Sequence, residues 1–483
     1  MSKFPPLSCD LTVPFVIDLD GTLVPTDTLH EALFLLFRRD WSQAWRVPLW
    51  IFQGRAVVKE KLGAFVTDQD VANFPINADL LEFAEREAGR GRKVVLATAA
   101  DRRLAEKVAQ RFPFISQVMA SDGRTNLRGR AKADALSEIY PEGFVYAGDS
   151  YPDEEVWSRS AGAIFAGGSQ RLFERVNEAT QLLASFPPPS LGLTGLRRAL
   201  RLHQWAKNAL IFVPLILGGK FLDVTAWTNA LEGFIAFGLL ASATYLLNDL
   251  WDLREDRQHW SKKSRPLAAG EMQIVLSIAL IFLLSLGGFS IAFVAASESI
   301  ALLAIYLGVT LAYSFRLKRE PIVDVVLLAS LFTMRLWVGV VVAGVAFSTW
   351  LLVFSMFFFL SLSLAKRQTE IVRMVALGME RAPGRGYHAN DAPLVLASGV
   401  ATMMATVLIM VIYLIEDAFP KGLYKHPDFL WALPVVIFLW LARIWLLCHR
   451  GELDDDPVAF ALKDRLSLVY AGIMGAVFLA AIS

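Results

Sequence analysis

The chain has 483 residues, room for two or three domains, and 55% of them are hydrophobic against 19% charged. That is too apolar for a disordered chain and for an ordinary soluble enzyme. With 47 Lys+Arg against 46 Asp+Glu the formal net charge is +1, so no global basic field points to nucleic acid.

The two cysteines, Cys9 and Cys448, sit at opposite ends of the chain and build no disulfide framework or thiolate metal site. The opening Met1-Ser-Lys-Phe-Pro-Pro lacks the apolar core of a secretory signal. A cytoplasmic N-terminal part is therefore expected rather than a secreted enzyme. Up to about residue 178 the longest uncharged run is 11 residues, Ser160 to Gln170, too short to cross a bilayer.

Within residues 1–185 the first predicted strand is Val13–Ile17, which runs into Asp18-Leu-Asp-Gly-Thr22. Asp18 and Asp20 then stand at the carboxyl end of a sheet, where open α/β sheets bind ligands. A second strand, Lys93–Ala97, ends in Thr98, and a third, Phe144–Ala147, ends in Gly148-Asp-Ser-Tyr-Pro-Asp153. Gly129-Arg-Ala-Lys132 opens a helix that runs to Ile139. Every polar group lies at a strand end or a helix start, so one crevice can hold them all.

This order of motifs resembles the haloacid-dehalogenase-like phosphatase superfamily over nearly the whole segment. The resemblance implies a Rossmann-like α/β domain with a small helical cap at about 28–80. It makes Asp18 the nucleophile that forms an aspartyl-phosphate and Asp20 the acid/base. Thr98 and Lys132 would bind the phosphoryl oxygens, with Arg130 the alternative cation. Asp149 and Asp153 would join Asp18, with Asp20 beside them, around Mg²⁺. The cap is rich in large apolar residues: Glu31-Ala-Leu-Phe-Leu-Leu-Phe37 with Trp41, Trp45 and Trp50. Two readings stand, a cap core or a patch at headgroup level.

Phe186-Pro-Pro-Pro-Ser-Leu-Gly-Leu-Thr-Gly195 reads as a linker, placed at 186–196. Beyond it come uncharged runs of 26 residues (Met272–Ser297), 30 (Leu336–Ala365), 24 (Ala392–Ile415) and 18 (Leu466–Ser483). Nine spans follow, at 205–222, 228–247, 273–294, 299–315, 321–344, 348–365, 392–415, 429–448 and 466–483. With the N-terminus inside, the inward loops hold 17 Lys/Arg and the outward loops three, Lys220, Lys421 and Lys425. The positive-inside rule thus agrees with the signal-free N-terminus and places a multi-pass protein in the cell inner membrane.

At the end of the second span stands Asn248-Asp-Leu-Trp-Asp-Leu-Arg-Glu-Asp256. On a continuous helix Asp249, Asp252 and Asp256, spaced i, i+3, i+7, share one face. They repel unless a cation neutralises them, and oxygen donors with a substrate phosphate suit Mg²⁺. Arg257, Lys262 and Arg265 add cations that could clamp the same phosphates.

The run with Asn248 at its head, followed by Arg265-Pro-Leu and Gly270, resembles the UbiA superfamily of intramembrane transferases. That resemblance covers residues 197–483 and implies an all-α nine-helix bundle whose acidic motif holds Mg²⁺-diphosphate. Two departures separate the chain from the aromatic prenyltransferase branch. Loop 366–391 opens Lys366-Arg367-Gln-Thr-Glu370 instead of carrying a second aspartate motif. The fourth span ends Tyr313-Ser-Phe-Arg-Leu-Lys318, one residue longer than that branch has it.

Both departures, and Asp456-Pro-Val-Ala-Phe-Ala-Leu-Lys-Asp464, are similar to the decaprenyl-phosphate phosphoribosyltransferase branch. The implied donor is phosphoribosyl diphosphate, the acceptor a polyprenyl phosphate, and Lys318, Lys366 and Arg367 would serve the 5-phosphate. The N-terminal domain would then hydrolyse that phosphate from the product, in making an envelope polysaccharide precursor. The rival reading is a UbiA-type aromatic prenyltransferase of quinone or haem biosynthesis with an unrelated phosphatase attached. Arg335, about 14 residues into the fifth span, is a charge that needs a partner. Asp324 and Arg443 read as interfacial, snorkelling residues.

Overall fold

The computed structural model describes residues 7, 10–122, 125–381, 385–453, 457–461 and 463–483; Cys9 and Asp456 lie outside the described residues. By internal contacts the chain forms two compact units, Met1–Leu200 with Tyr245–Ile281, and Arg201–Thr244 with Phe282–Ser483. The stretch that carries the acidic motif belongs with the N-terminal residues, a division that chain order and the Pro-rich linker do not suggest.

The first unit opens with β1 (Phe15–Ile17) and five short helices in the expected cap region. These are α1 (Thr28–Arg39), α2 (Trp41–Ala44), α3 (Val47–Gln53), α4 (Arg55–Gly63) and α5 (Asp68–Ala72). Strands and helices then alternate: α6 (Ala78–Gly89), β2 (Val94–Asp101), α7 (Arg102–Gln110), β3 (Ile115–Ser121), α8 (Arg130–Ile139) and β4 (Val145–Gly148). The alternation continues through α9 (Glu154–Trp157), β5 (Gly162–Phe165), α10 (Gln170–Ala179), β6 (Leu182–Ser185) and α11 (Leu193–Ala199).

The six strands form one parallel sheet in the order β3-β2-β1-β4-β5-β6. Parallel strands need crossovers, and the helices that supply them cover both faces of the sheet. Phe15 and Ile17 accordingly enter one apolar cluster with Leu96, while Val16 enters the other with Val95 and Tyr146. Register places Ile17 opposite Leu96 on one side and Ala147 on the other. Asp18 and Asp149, which follow β1 and β4, therefore emerge at the same sheet edge; Thr98, expected to end the second strand, lies inside β2, which runs on to Asp101.

From Leu202 the chain is helical. A 3-10 segment, Leu202–Phe212, leads into α12 (Val213–Leu217), α13 (Val224–Trp251), α14 (Leu253–Gln258), α15 (Ile274–Ala295) and α16 (Ser299–Phe315). Then come α17 (Val323–Ala343), α18 (Thr349–Ala376), α19 (Ala392–Tyr413), α20 (Ala432–His449), α21 (Pro457–Ala461) and α22 (Arg465–Ile482). Among the described residues seven helical stretches are long and apolar enough to cross a membrane: α13, α15, α17, α18, α22 and those containing α19 and α20. α16, at 17 residues, is shorter.

Three expectations are corrected here. The first expected span, 205–222, is not one helix: Pro214 in the first turn of α12 offers no N–H and restricts the residue before it. The segment instead lies along α17, where a side chain at Gly339 would overlap the carbonyl of Ile211. The sixth span does not stop at 365. α18 runs on through Lys366 and Arg367, because Lys, Arg, Gln and Glu end an apolar run but favour helix. Finally, Asp249, Asp252 and Asp256 do not share one helix: α13 ends at Trp251, and Asp252 (φ −90°, ψ 14°) caps α14.

Candidate active sites

The edge where β1, β2 and β4 end carries a buried charge cluster. Lys132, at the start of α8, reaches Asp18 Oδ1 at 3.0 Å and Asp153 Oδ1 at 3.5 Å, and its Nζ donates to the Tyr146 hydroxyl at 2.8 Å. Tyr146 in turn donates to Asp153 at 2.7 Å, and the other Asp153 oxygen accepts from the Ser150 hydroxyl at 2.8 Å. The backbone N–H of Leu19 donates to Asp18 Oδ1 at 2.8 Å. Among the described residues Asp18, Asp149 and Asp153 are the one acidic, His or Cys trio whose ligand atoms lie within 4.8 Å of one another. Gly21 (φ +76°) makes room for it, since a Cβ there would overlap the Asp149 carboxylate.

The other expected residues fall around this trio. Asp20 stands apart from it and accepts from the Thr28 N–H at 2.7 Å. Thr98 is fully buried, its hydroxyl accepting from the Ala100 N–H at 3.0 Å. Of the two alternative cations, Lys132 joins the cluster and Arg130 is exposed. A cavity of about 650 Å³ opens over the carboxylates, lined by the basic Lys59 and Arg128 and by the apolar Leu33, Val47, Ile51 and Val58 among others.

Crowding shows in the acidities. Burial pushes Asp18 up to about 7 from 3.8, with Asp153 and Asp20 adding to the rise and Lys132 opposing it. Burial, then Asp18, lifts Asp149 to about 8, and burial, then Asp27, lifts Asp20 to about 6. One lysine does not balance these carboxylates. A strongly perturbed acid cluster in a cleft is how catalytic carboxylates present themselves.

The acidic motif is built differently. Asp249 and Asp256 both accept from Arg265 Nη1, at 2.9 and 2.5 Å, and Lys262 lies 3.9 Å from Asp256. Asp249, Asp252 and Asp256 do not form a trio of converging ligand atoms. Arg257 is gripped by Glu31 of α1, which accepts from both guanidinium nitrogens at 2.6 and 3.1 Å; both side chains are buried. Thr26 donates to the same Glu31 carboxylate at 2.9 Å. Asn248 is half-buried on α13.

In the second unit Arg367 is fully buried and pairs with Asp324 at 2.7 Å and with Glu370. Arg385 donates to the Tyr313 hydroxyl at 3.1 Å and approaches Asp324 and Glu370 at 3.6 and 3.7 Å; Tyr387 donates to Asp324 at 2.7 Å. Asp324 is thus a buried hub, not a snorkelling residue. Lys318 and Lys366 are half-buried. Arg335 finds its partners inside: Nε donates to Asn208 at 2.9 Å, Nη1 to the Leu331 carbonyl at 2.5 Å, and the guanidinium sits 4.7 Å from the Phe237 ring centre. Arg443 is held by Asp464 at 2.7 and 3.0 Å.

Residues 212–469, more than half of the chain, match the UbiA prenyltransferase family. The chain belongs to that family. An uncharacterized protein of Sinorhizobium fredii, y4nM, is 39% identical over 478 residues, 98% of this chain and 92% of the relative. The decaprenyl-phosphate phosphoribosyltransferase of Mycobacterium tuberculosis is 32% identical over 297 residues, 60% of this chain and 96% of the relative. Among solved structures, a UbiA homologue from Archaeoglobus fulgidus bound to DMAPP and Mg²⁺ is 15% identical, with a TM-score of 0.46 over 59% of this chain and 98% of that one.

As a UbiA family member the chain is a multi-pass membrane protein of transferase type. The mycobacterial relative is almost used up by its match, while y4nM runs alongside both parts of this chain. The N-terminal addition to the UbiA region is therefore shared with at least one relative. Sequence reasoning missed Tyr146, Lys59 and Arg128 at the first site, and Glu31 and Arg385 elsewhere. Local spacing carries no signal for them, because each partner lies on another element.

Proposed function

We propose that the UbiA region transfers 5-phosphoribose from phosphoribosyl diphosphate to a polyprenyl phosphate, and that the N-terminal site then removes the 5-phosphate. The observation that carries this reading is a pairing on one chain. A buried carboxylate–lysine cluster, on motifs that resemble those of haloacid-dehalogenase-like phosphatases, accompanies a UbiA region similar to a decaprenyl-phosphate phosphoribosyltransferase. In this reading the chain lies in the cell inner membrane with its N-terminal part on the cytoplasmic side, and the product is an envelope precursor.

At the N-terminal cluster the resemblance to haloacid-dehalogenase-like phosphatases gives each residue a role. An Asp18 oxygen attacks phosphorus, the ester oxygen leaves with its electron pair, and Asp20 gives that oxygen a proton. Water then attacks the aspartyl-phosphate, Asp20 takes its proton, and inorganic phosphate departs with Asp18 restored. Lys132 orients Asp18 and offsets phosphoryl charge; Lys59 and Arg128 are placed to bind phosphate oxygens from the cavity wall. Three carboxylates converging within 4.8 Å fit a hard dication. Held by Asp18, Asp149 and Asp153, Mg²⁺ would neutralise charge on the phosphoryl group.

For the transfer, the bond from the anomeric carbon to diphosphate breaks and one to a lipid phosphate oxygen forms. Arg265 and Lys262 supply cations at the acidic motif, and Asp249 and Asp256 hold Arg265. The three motif aspartates do not converge here, so no metal step is derived for them. Mass spectrometry of lipids after incubation with phosphoribosyl diphosphate, polyprenyl phosphate and Mg²⁺ tests the reading. A lipid that gains ribose, with release of both diphosphate and phosphate, is expected. Consumption of a prenyl diphosphate with an aromatic acid instead would establish the rival prenyltransferase.

A further inference from the structure

The cap presents an apolar face that the proposed chemistry has not used. Phe37, Trp41, Trp45, Leu49 and Phe52 are exposed by 52%, 69%, 75%, 62% and 90%. Trp50, which the sequence groups with the other tryptophans, belongs to the core and is only 8% exposed. α3 explains the split. Val47 and Trp50 stand three residues apart and turn inward, while Leu49 and Phe52 turn outward. Five large apolar side chains within sixteen residues make a patch that soluble surfaces rarely leave uncovered.

We propose that this face of α2 and α3 docks into the bilayer surface, and that the N-terminal cavity takes its substrate, a lipid-borne phosphomonoester, from there. The docking half stands alone; the substrate half rests on the phosphatase reading above. Three observations single out lipid as the occupant. First, this chain has membrane-crossing helices of its own, and α1 is tied to α14, the short helix that follows one of them. Glu31 grips Arg257 and Arg38 pairs with Glu255 at 2.5 Å, on the helix that begins two residues after α13 ends. α2 follows α1 directly, so the patch is linked through these pairs to the stretch that continues from α13.

Second, the patch is of interfacial type: two tryptophans and two phenylalanines with Arg46 exposed among them. Aromatic rings settle at headgroup level and cations favour anionic lipid. Third, α3 has two apolar sides. Val47 and Ile51 line the cavity above Asp18, and Ile51 is itself 61% exposed at its rim. An apolar wall leading from exposed surface to a phosphate-handling cluster suits a substrate whose phosphate is polar and whose remainder is hydrocarbon. A soluble sugar phosphate would leave that wall unused.

The test uses the full chain in nanodiscs containing phosphatidylglycerol. In a Cys9→Ser background, with Cys448 buried, a nitroxide is attached at Phe52→Cys and, as a control, at the exposed Glu85→Cys on α6. Docking predicts that the label at 52 collides with oxygen and is shielded from a water-soluble nickel chelate, while the label at 85 meets the chelate freely. Chelate access at 52 overturns the proposal, and shielding from both reagents overturns it in favour of a protein partner.

Trp45→Glu with Phe52→Glu, both at exposed positions, should slow hydrolysis of a nanodisc-borne polyprenyl phosphomonoester by roughly tenfold or more. Hydrolysis of a short soluble ester should be unchanged. An equal loss on both substrates would mean damage to the fold and sink the substrate half. If neither ester is hydrolysed by the unmutated chain, the phosphatase reading fails, and the label at 52 still decides the docking.

Discussion

The two acidic clusters of this chain use the same residue type and end differently. At the N-terminal sheet edge Asp18, Asp149 and Asp153 converge on one another around a single lysine. In the UbiA motif Asp249 and Asp256 converge on Arg265 instead. The scaffold makes the difference. Neighbouring parallel strands lie about 4.8 Å apart, so residues leaving adjacent strand ends are forced together. Seven residues along a helix climb roughly 10 Å, and here the helix also breaks at Asp252. Convergence without a matching cation stores charge for a ligand to relieve, whereas pairing with arginine spends it inside the protein.

The sharpest way to break this comparison is Asp18→Asn. It leaves shape intact and removes the proposed nucleophile, so phosphate release should fall by at least about 1000-fold. Transfer to lipid should continue, with phosphorylated lipid accumulating, as mass spectrometry would reveal. A lipid product of unchanged mass would disconnect the two sites.

Asp249→Asn is the converse. Arg265 would lose one of two carboxylates, a charge-assisted bond worth about 1.5–3 kcal/mol. Transfer should drop on the order of 10- to 100-fold, while hydrolysis of a soluble ester stays as it was. Unaltered transfer would remove the motif from the reaction.

How much of this was legible in sequence follows the same division. Strand ends that run into Asp18 and Asp149 were readable because short apolar runs stop at polar residues, whereas β2 does not stop at Thr98 but runs on to Asp101. β3, β5 and β6 were not named. Ile115–Ser121 mixes polar residues into its run, and Gly162–Phe165 and Leu182–Ser185 are only four residues each. Apolar length located most spans, but it misjudged both ends of helices: charge cut α18 short at 365, and apolarity joined the 3-10 segment to α12 across Pro214. Arg367 looked like a phosphate ligand because sequence shows a charge and not its partner. Asp324, 43 positions earlier, holds it. The same blindness hid Glu31, 226 positions from Arg257.

That long-range pair offers a smaller test. Glu31→Gln keeps the shape of the side chain and discards its charge, leaving Arg257 buried without a counter-ion. Breaking a buried pair costs about 3–5 kcal/mol. The ends of α14 should exchange amide hydrogens faster, and transfer should fall by roughly tenfold. The swap Glu31→Arg with Arg257→Glu should recover part of both. Unchanged exchange over residues 253–258 would mean that the cap does not steady the motif.

The smallest expected effect is thermodynamic, and it reads the N-terminal cluster through pH. Asp18, Asp20 and Asp149 are lifted from 3.8 to about 7, 6 and 8, in each case chiefly by burial. Between these values and 3.8 the folded chain holds protons that the unfolded chain has released. Stability without divalent metal must therefore fall as pH rises through about 4 to 8. If Mg²⁺ binds the ionised carboxylates as proposed, the stabilisation it adds should grow over the same interval, as protons cease to compete. Scanning fluorimetry at pH 5.5, 7 and 8.5, in chelator and in Mg²⁺, should show the two melting curves diverging by on the order of a few degrees towards high pH. In Asp149→Asn the divergence should shrink, since one ligand and one raised acid are gone. A gap that narrows with pH in the unmutated chain would mean that the carboxylates do not ionise to receive the metal, and the N-terminal trio would then lose its claim to it.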